Sequence, residues 1–146
     1  MEQGLLHLHN FLRWVIIFFL LFAVLQALGK KAGLQKTSLW LLIASHLTFY
    51  QYFTSAFGFK LIQQYGFGEV MKDSAMRFWA VEHIAGMLIV IILITIARGK
   101  AKPIARGKAK RGGYPAALYI IALLIILAVI PWPFREVIGR PWFPGM

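Results

Sequence analysis

Four histidines, together with Arg13, Arg77 and Glu82, are the side chains whose types and spacing could do chemistry in this largely apolar chain. His7 and His9 stand at the mouth of the first apolar segment, and Arg13 follows His9 by one helical turn. His46 lies within the second apolar segment, and Glu82 and His83 lie just inside the third. Ionisable groups inside a membrane segment are costly and usually face a partner. Gln26, Ser45, Thr48 and Gln51 are the polar companions available. Three uses fit. In the first, two histidines on different helices ligate a haem iron from opposite faces, as in b-type cytochromes, with Arg13 and Arg77 meeting the propionates. His46 with His83 is the first choice of ligands, His9 with His83 the second. In the second, His9, His46, His83 and Glu82 hold a bare transition-metal ion such as copper, zinc or iron. No HxxxH or ExxH spacing within one helix supports that use. In the third, His, Glu and Arg form a hydrogen-bonded network that binds a quinone or relays a proton. The plain structural alternatives are an Arg13–Glu82 ion pair and a water-solvated His7 and His9 at the interface.

Helical spacing sorts these residues into faces. His9 shares a stripe with Arg13, Ile16 and Leu20, whereas His7 lies ~200° around the helix from His9. His46 lines up with Leu39, Leu42, Tyr50 and Phe53, and His83 with Trp79, Met87 and Val90. Glu82 falls on the neighbouring stripe with Ala85 and Gly86, where a helix or a flat ligand can approach closely. At ~1.5 Å per residue, outer boundaries at Gly58 and Phe78 put His46 ~18 Å deep and His83 ~8 Å deep. Boundaries at Ser55 and Ser74 bring both to ~13 Å, where one ligand reaches both and His9 caps the cavity.

The elements that must position these residues follow from composition. Hydrophobic residues make up 60% and charged residues 14%, against ~45–50% and ~25% in soluble domains. That excess cannot be buried in a water-soluble core of 146 residues, so lipid must cover it. Apolar segments at about 8–28, 38–59, 76–97 and 114–131 each approach the ~20 residues that cross a bilayer as a helix. The expected fold is all-α: one domain over 1–146, an integral membrane four-helix bundle. Pro131-Trp132-Pro133 stops the fourth segment. Glu2 in place of a basic leader, and the poor small-x-small match at Leu25-Gln26-Ala27, predict that the first segment stays as a span. Loops 29–37 and 98–113 carry ten of the sixteen basic residues and no acid. These are Lys30, Lys31, Lys36, Arg98, Lys100, Lys102, Arg106, Lys108, Lys110 and Arg111.

Such clusters mark the cytoplasmic side, so both termini and the loop at 60–77 face away from the cytoplasm. Glu2, Glu69, Asp73, Glu82 and Glu136 fall on or near that outer side. Loop 98–113 contains a duplication, ARGKAK at 97–102 and again at 105–110, and reads as a flexible basic tether. In the outer loop, Tyr65-Gly66-Phe67-Gly68 reads as a turn, and Glu69 to Arg77 as a helix leading into the third segment. Trp132 and Trp142 read as interfacial anchors. The net charge of +11 therefore addresses lipid head groups rather than nucleic acid. The absence of cysteine excludes disulfides, thiolate metal sites, iron–sulfur clusters and covalently attached haem. No nucleophile–base constellation or phosphate loop points to an enzyme acting alone.

The opening LLHLHNFLRW, the central MKDSAMRFWAVEH and the closing IPWPFR resemble a family of small four-helix bacterial membrane proteins commonly labelled cytochrome-b-like. The resemblance covers nearly the whole chain. It implies a multi-pass protein of the bacterial inner membrane, a haem-binding or electron-carrying role, and functional parts for His7, His9, Arg13, His46, Arg77, Glu82 and His83. Every histidine lies toward one side, which allows one haem and argues against a second. The expected activity is electron transfer with a quinone or a periplasmic redox partner. The competing expectations are metal handling without porphyrin and a non-catalytic subunit of a larger membrane complex, with homo-oligomers open.

Overall fold

Helix α1, Glu2–Leu28, carries both His7 and His9, so the first helix begins well before the apolar segment does. It ends where Gly29 and a left-handed Lys30 (φ 52°) turn the chain. Helix α2, Leu34–Thr54, starts four residues ahead of the apolar segment. The computed structural model describes residues 2–54, 58–108 and 113–143, so the stretch 55–57, over which the sequence extends the second segment, lies outside it. Two short helices follow, α3 (Phe59–Tyr65) and α4 (Phe67–Lys72). They are separated by Gly66 at φ 78°, where glycine alone is unstrained, which is the turn read from the sequence. Asp73 caps α5 (Ser74–Arg77) by accepting the Met76 N–H at 2.7 Å. A π-helical turn, Phe78–Glu82, leads directly into α6, His83–Ala105, and α7 spans Gly113–Val129.

Helix α6 corrects the sequence reading at its far end. Residues 98–105 are helical rather than part of a tether. Ala97, Ala101 and Ile104 continue the buried stripe at helical spacing, and Ala, Lys and Arg are strong helix formers. Together they carry the helix past Pro103. The basic connection shrinks to 106–112, with Lys110 and Arg111 outside the described residues.

The four long helices form a ring in which α1 packs on α2 and α7, and α6 packs on α2 and α7. Neighbours run antiparallel. Arg98, late in α6, donates to the Gln35 carbonyl (2.9 Å) and Ser38 hydroxyl (2.8 Å) at the start of α2. At the other end the Tyr52 hydroxyl, late in α2, donates to the Ala80 carbonyl in the π turn (2.9 Å). Small residues at the contacts (Ala23, Ala27, Ala44, Ala97, Ala116, Ala122) let backbones approach, with Leu20, Leu41, Ile94 and Tyr119 filling the centre. The buried face of α2 is Ser38, Leu41, Ser45, Thr48 and Gln51, whose hydroxyls donate back to carbonyls of their own helix.

The outward faces are as apolar as the interior. Phe18, Leu25, Trp40, Ile89, Ile92 and Leu124 are all exposed. Two helices, Gly4–Leu28 and Ser74–Ile104, are long and apolar enough to cross a membrane, with less than half of their apolar windows buried by the protein itself.

Helices α6 and α7 approach closely at Gly86. A Cβ there would lie 2.6 Å from Val129 Cγ1 of α7, inside contact distance. Gly86→Leu is expected to force α6 and α7 apart and lower stability by about 1–3 kcal/mol, read as a lower unfolding midpoint in detergent. Gly99→Ala, on the same helix with nothing within 4 Å of the new Cβ, is expected to be neutral or mildly stabilising.

Candidate functional site

The end of α7 explains how the site is built. Proline lacks an N–H, so Pro131 and Pro133 withhold the i+4 donors that the Leu127 and Val129 carbonyls would otherwise use. Each carbonyl finds a side chain instead. The Trp132 indole donates to Leu127 at 2.8 Å, and His83 Nδ1 lies 2.9 Å from the Val129 oxygen. Gly86, one turn after His83, admits α7 closely enough for that bond. A carbonyl oxygen only accepts, so Nδ1 of His83 carries the proton and Nε2 of the neutral ring keeps its lone pair.

The π turn sets the direction in which His83 points. Its N–H bonds the Phe78 carbonyl five residues back, and one extra residue rotates everything that follows by ~100°. Phe78 and Trp79 then flank the imidazole, with ring centroids 5.7 and 5.9 Å away. π turns occur frequently at functional positions.

Opposite His83, α1 supplies His9. Its Nδ1 is 3.2 Å from Gln51 Oε1 on α2, so here too Nδ1–H donates and Nε2 is left free. The two rings face one another with centroids 6.1 Å apart and planes at 57°. Among the described residues neither Nε2 has a hydrogen-bond partner. Two cavities flank the pair, of ≈ 270 and ≈ 80 Å³. Leu6, His9, Thr48, Trp79, His83 and Met87 line both, so the imidazoles form part of the partition between them. Gln51 Nε2 is buried without a partner.

The C-terminal tail forms the rim of the larger cavity through Arg140, Pro141 and Phe143. It is held down from α1. Buried Arg13 donates through one nitrogen to the Pro141 (3.3 Å) and Trp142 (2.8 Å) carbonyls, and the Trp14 indole donates to the same Trp142 carbonyl at 2.8 Å. Trp14 also stacks on Trp142 and Phe143. The tail can fold this tightly because Gly139 sits where a Cβ would strike the Arg135 and Trp132 carbonyls at 2.6 and 2.9 Å. Arg140 lies over the Trp79 ring, 5.0 Å from its centroid. The larger cavity is thus lined by two arginines and by His7, His9 and His83, with no carboxylate among its lining residues.

The structure rearranges the sequence-derived set. It brings His9, His83 and Arg13 together, with His7 exposed at the mouth. His46 is not with them. It projects from the outward face of α2, its Nδ1 bonded to the Leu42 carbonyl of its own helix at 2.8 Å. The His46–His83 ligand pair therefore does not assemble, because the hydroxyl-bearing face of α2 turns inward and the His46 stripe turns out. Glu82 is exposed and pairs with Arg77 (2.7 Å) rather than with Arg13. Arg77 also donates to the Met71 carbonyl, on the outer surface and off the cavity linings. The four-ligand bare-metal cluster is correspondingly absent: among the described residues no three His, Cys, Asp or Glu converge on one point. The features that sequence reasoning missed are Arg140, the tail carbonyls and the Val129 carbonyl. The last was signalled by Pro133 at i+4.

No protein-family model matches the chain, nor does any curated protein or solved structure.

The Arg13 contacts generate a direct test. Hydrogen bonds from a charged donor contribute ~1.5–3 kcal/mol, so Arg13→Ala is expected to release the tail and speed tryptic cleavage after Arg135 roughly ten- to hundredfold. Unchanged cleavage would mean that the Trp14 stack alone holds the tail.

Proposed function

We propose that the chain is a multi-pass protein of the bacterial inner membrane. In this reading α1, α2, the α5–α6 rod and α7 cross the bilayer as a four-helix bundle, both termini lie outside, and His9 with His83 holds one b-type haem for electron transfer. The side-chain distribution supports the membrane reading: Phe, Leu and Ile are exposed on the outward faces, and small Ala and Ser residues sit at the helix contacts beside buried Leu, Ile and Tyr119. Charge supports the orientation. Lys30, Lys31, Lys36, Arg98, Lys100, Lys102, Arg106 and Lys108 gather at the end opposite Glu69, Asp73, Glu82 and Glu136.

The observation that carries the haem reading is the imidazole pair. Metal-ligating histidines almost always donate their second ring N–H to a carbonyl or carboxylate. His83 has Val129 for this and His9 has Gln51. With both Nε2 atoms turned toward each other, a centroid spacing of 6.1 Å would leave room for one metal ion, given metal–nitrogen bonds of ~2.0–2.1 Å. The donor set of two imidazoles with fixed tautomers would suit haem iron, whereas the cavities of ≈ 270 and ≈ 80 Å³ would have to open to take the whole porphyrin. Haem iron, once bound, supplies reversible one-electron chemistry. The chain's own residues do the rest. His9 and His83 present Nε2, and Gln51 and Val129 fix the tautomers. Phe78 and Trp79 shield the edge from water, and Arg13 and Arg140 supply the cations for two carboxylates. Arg140 takes the part that the sequence assigns to Arg77.

A second reading is favoured by cavity size. An apolar cavity of ~150 Å³ holds benzene, so ≈ 270 Å³ is closer to a single-ring quinone headgroup than to a whole porphyrin. In that case His9 and the arginines would bind the headgroup oxygens, and no metal would be involved.

A dithionite-reduced minus oxidised absorption spectrum of protein purified from haem-replete cells separates the two. The expected result is a b-type signal near one haem per chain. His9→Ala and His83→Ala should each lower haem affinity ~10-fold or more, and Gln51→Leu by ~10–100-fold, while His46→Ala leaves it unchanged. A featureless spectrum, or loss of haem in His46→Ala alone, would overturn the assignment.

A further inference from the structure

His46 sits near the middle of α2, ~18 Å along the helix from Leu34 and ~12 Å from Thr54. Its surroundings on the outward face are Leu39, Ile43, Leu47 and Phe53, all exposed. Given the membrane-spanning reading above, on which this inference rests, the imidazole faces the depth of the hydrocarbon layer. Polar groups there must be satisfied by protein, since neither water nor lipid tails can do it. Half of the imidazole is satisfied: Nδ1–H donates to Leu42. That leaves Nε2 as an acceptor without a donor among the described residues. One turn along the same stripe Tyr50 is 65% exposed, its hydroxyl a donor with no acceptor among the described residues.

We propose that this face of α2 is the contact surface of a homodimer, two copies lying parallel about a two-fold axis along the membrane normal. The Tyr50 hydroxyl of each chain donates to Nε2 of the partner's His46. A two-fold interface requires that residue i meet j while j meets i, and this acceptor–donor pair meets that condition with one chain type. The geometry suits it as well. Helical side chains lean toward the N-terminus, so the long Tyr50 ring reaches back toward the level of His46 across the ~6 Å that separates the two positions along the axis. Leu39, Ile43, His46, Tyr50 and Phe53 recur at steps of three and four, the pattern that packs two parallel helices at a shallow left-handed angle.

The cysteine-free chain makes the test clean. In native membranes Ile43→Cys is expected to give an oxidative disulfide dimer, and Ile121→Cys, on the exposed face of α7, is not. Tyr50→Phe, which removes both reciprocal bonds, should weaken dimerisation about sevenfold at the strength usual between membrane helices, and His46→Leu should match it. Both positions are on the surface, so neither change disturbs the fold. Retention of the protein in membranes through alkaline carbonate extraction is measured on the same samples. Protein that is retained but does not cross-link at position 43, or that cross-links equally at 121, overturns the dimer and leaves the membrane reading standing. Protein that is extracted overturns both.

Discussion

Two missing N–H groups organise the functional end of this molecule. Pro131 and Pro133 end α7, and in doing so they orphan the carbonyls of Leu127 and Val129. A buried, unpaired acceptor costs about 1–3 kcal/mol, so each carbonyl recruits a side chain. Trp132 folds back onto Leu127, which starts the tail's return across the bundle. His83 turns onto Val129, which fixes its tautomer and draws α7 against Gly86. The imidazole is then held as a metal ligand would be, by a bond whose first justification is main-chain bookkeeping. His9 is held in the same sense by an amide of α2, so three helices besides α6 contribute to one pair of rings.

Much of this was legible in the sequence wherever helical spacing alone decides. The stripe of His9, Arg13 and Ile16 lines the larger cavity, as do Trp79, His83 and Met87. Gly86 admits a close neighbour, and that neighbour is α7. What periodicity could not resolve is which face of α2 turns inward. In water the apolar face would be buried, and the stripe of Leu39, Leu42, His46, Tyr50 and Phe53 would qualify. In an apolar surround, burial gains little from Leu or Phe and favours small residues that let backbones close. Ser38, Ser45 and Thr48 point in and carry Gln51 with them, while His46 goes out, the arrangement that the proposed membrane-spanning bundle calls for. The same inversion removes His46 from His83 and supplies Gln51 to His9.

The Arg77–Glu82 pair was hidden for a different reason. Five residues apart, the two sit ~140° from one another on a regular α-helix, too far to pair. The π turn between them closes that angle, and with it Glu82 is exposed rather than turned into the bundle as its sequence position implied. Arg13 consequently has no carboxylate and is solvated by tail carbonyls instead. Sequence can show that a buried arginine needs acceptors; it cannot show that residues 141 and 142, more than a hundred positions away, provide them.

These substitutions give the cavity its character. With Glu82 drawn outward to Arg77, the described residues lining the larger chamber include Arg13, Arg140 and three imidazoles. On the haem reading proposed above, the two arginines would meet negative groups that the ligand brings, whereas a neutral quinone would bring none. The opposite end of the bundle is polar, with Arg98, Ser38 and the Gln35 carbonyl in one network, but it holds no imidazole, since all four histidines lie elsewhere. On the haem reading proposed above, electrons would therefore enter and leave at the acidic end, through the aromatic rim of Trp79 and the tail, rather than pass from one end of the bundle to the other.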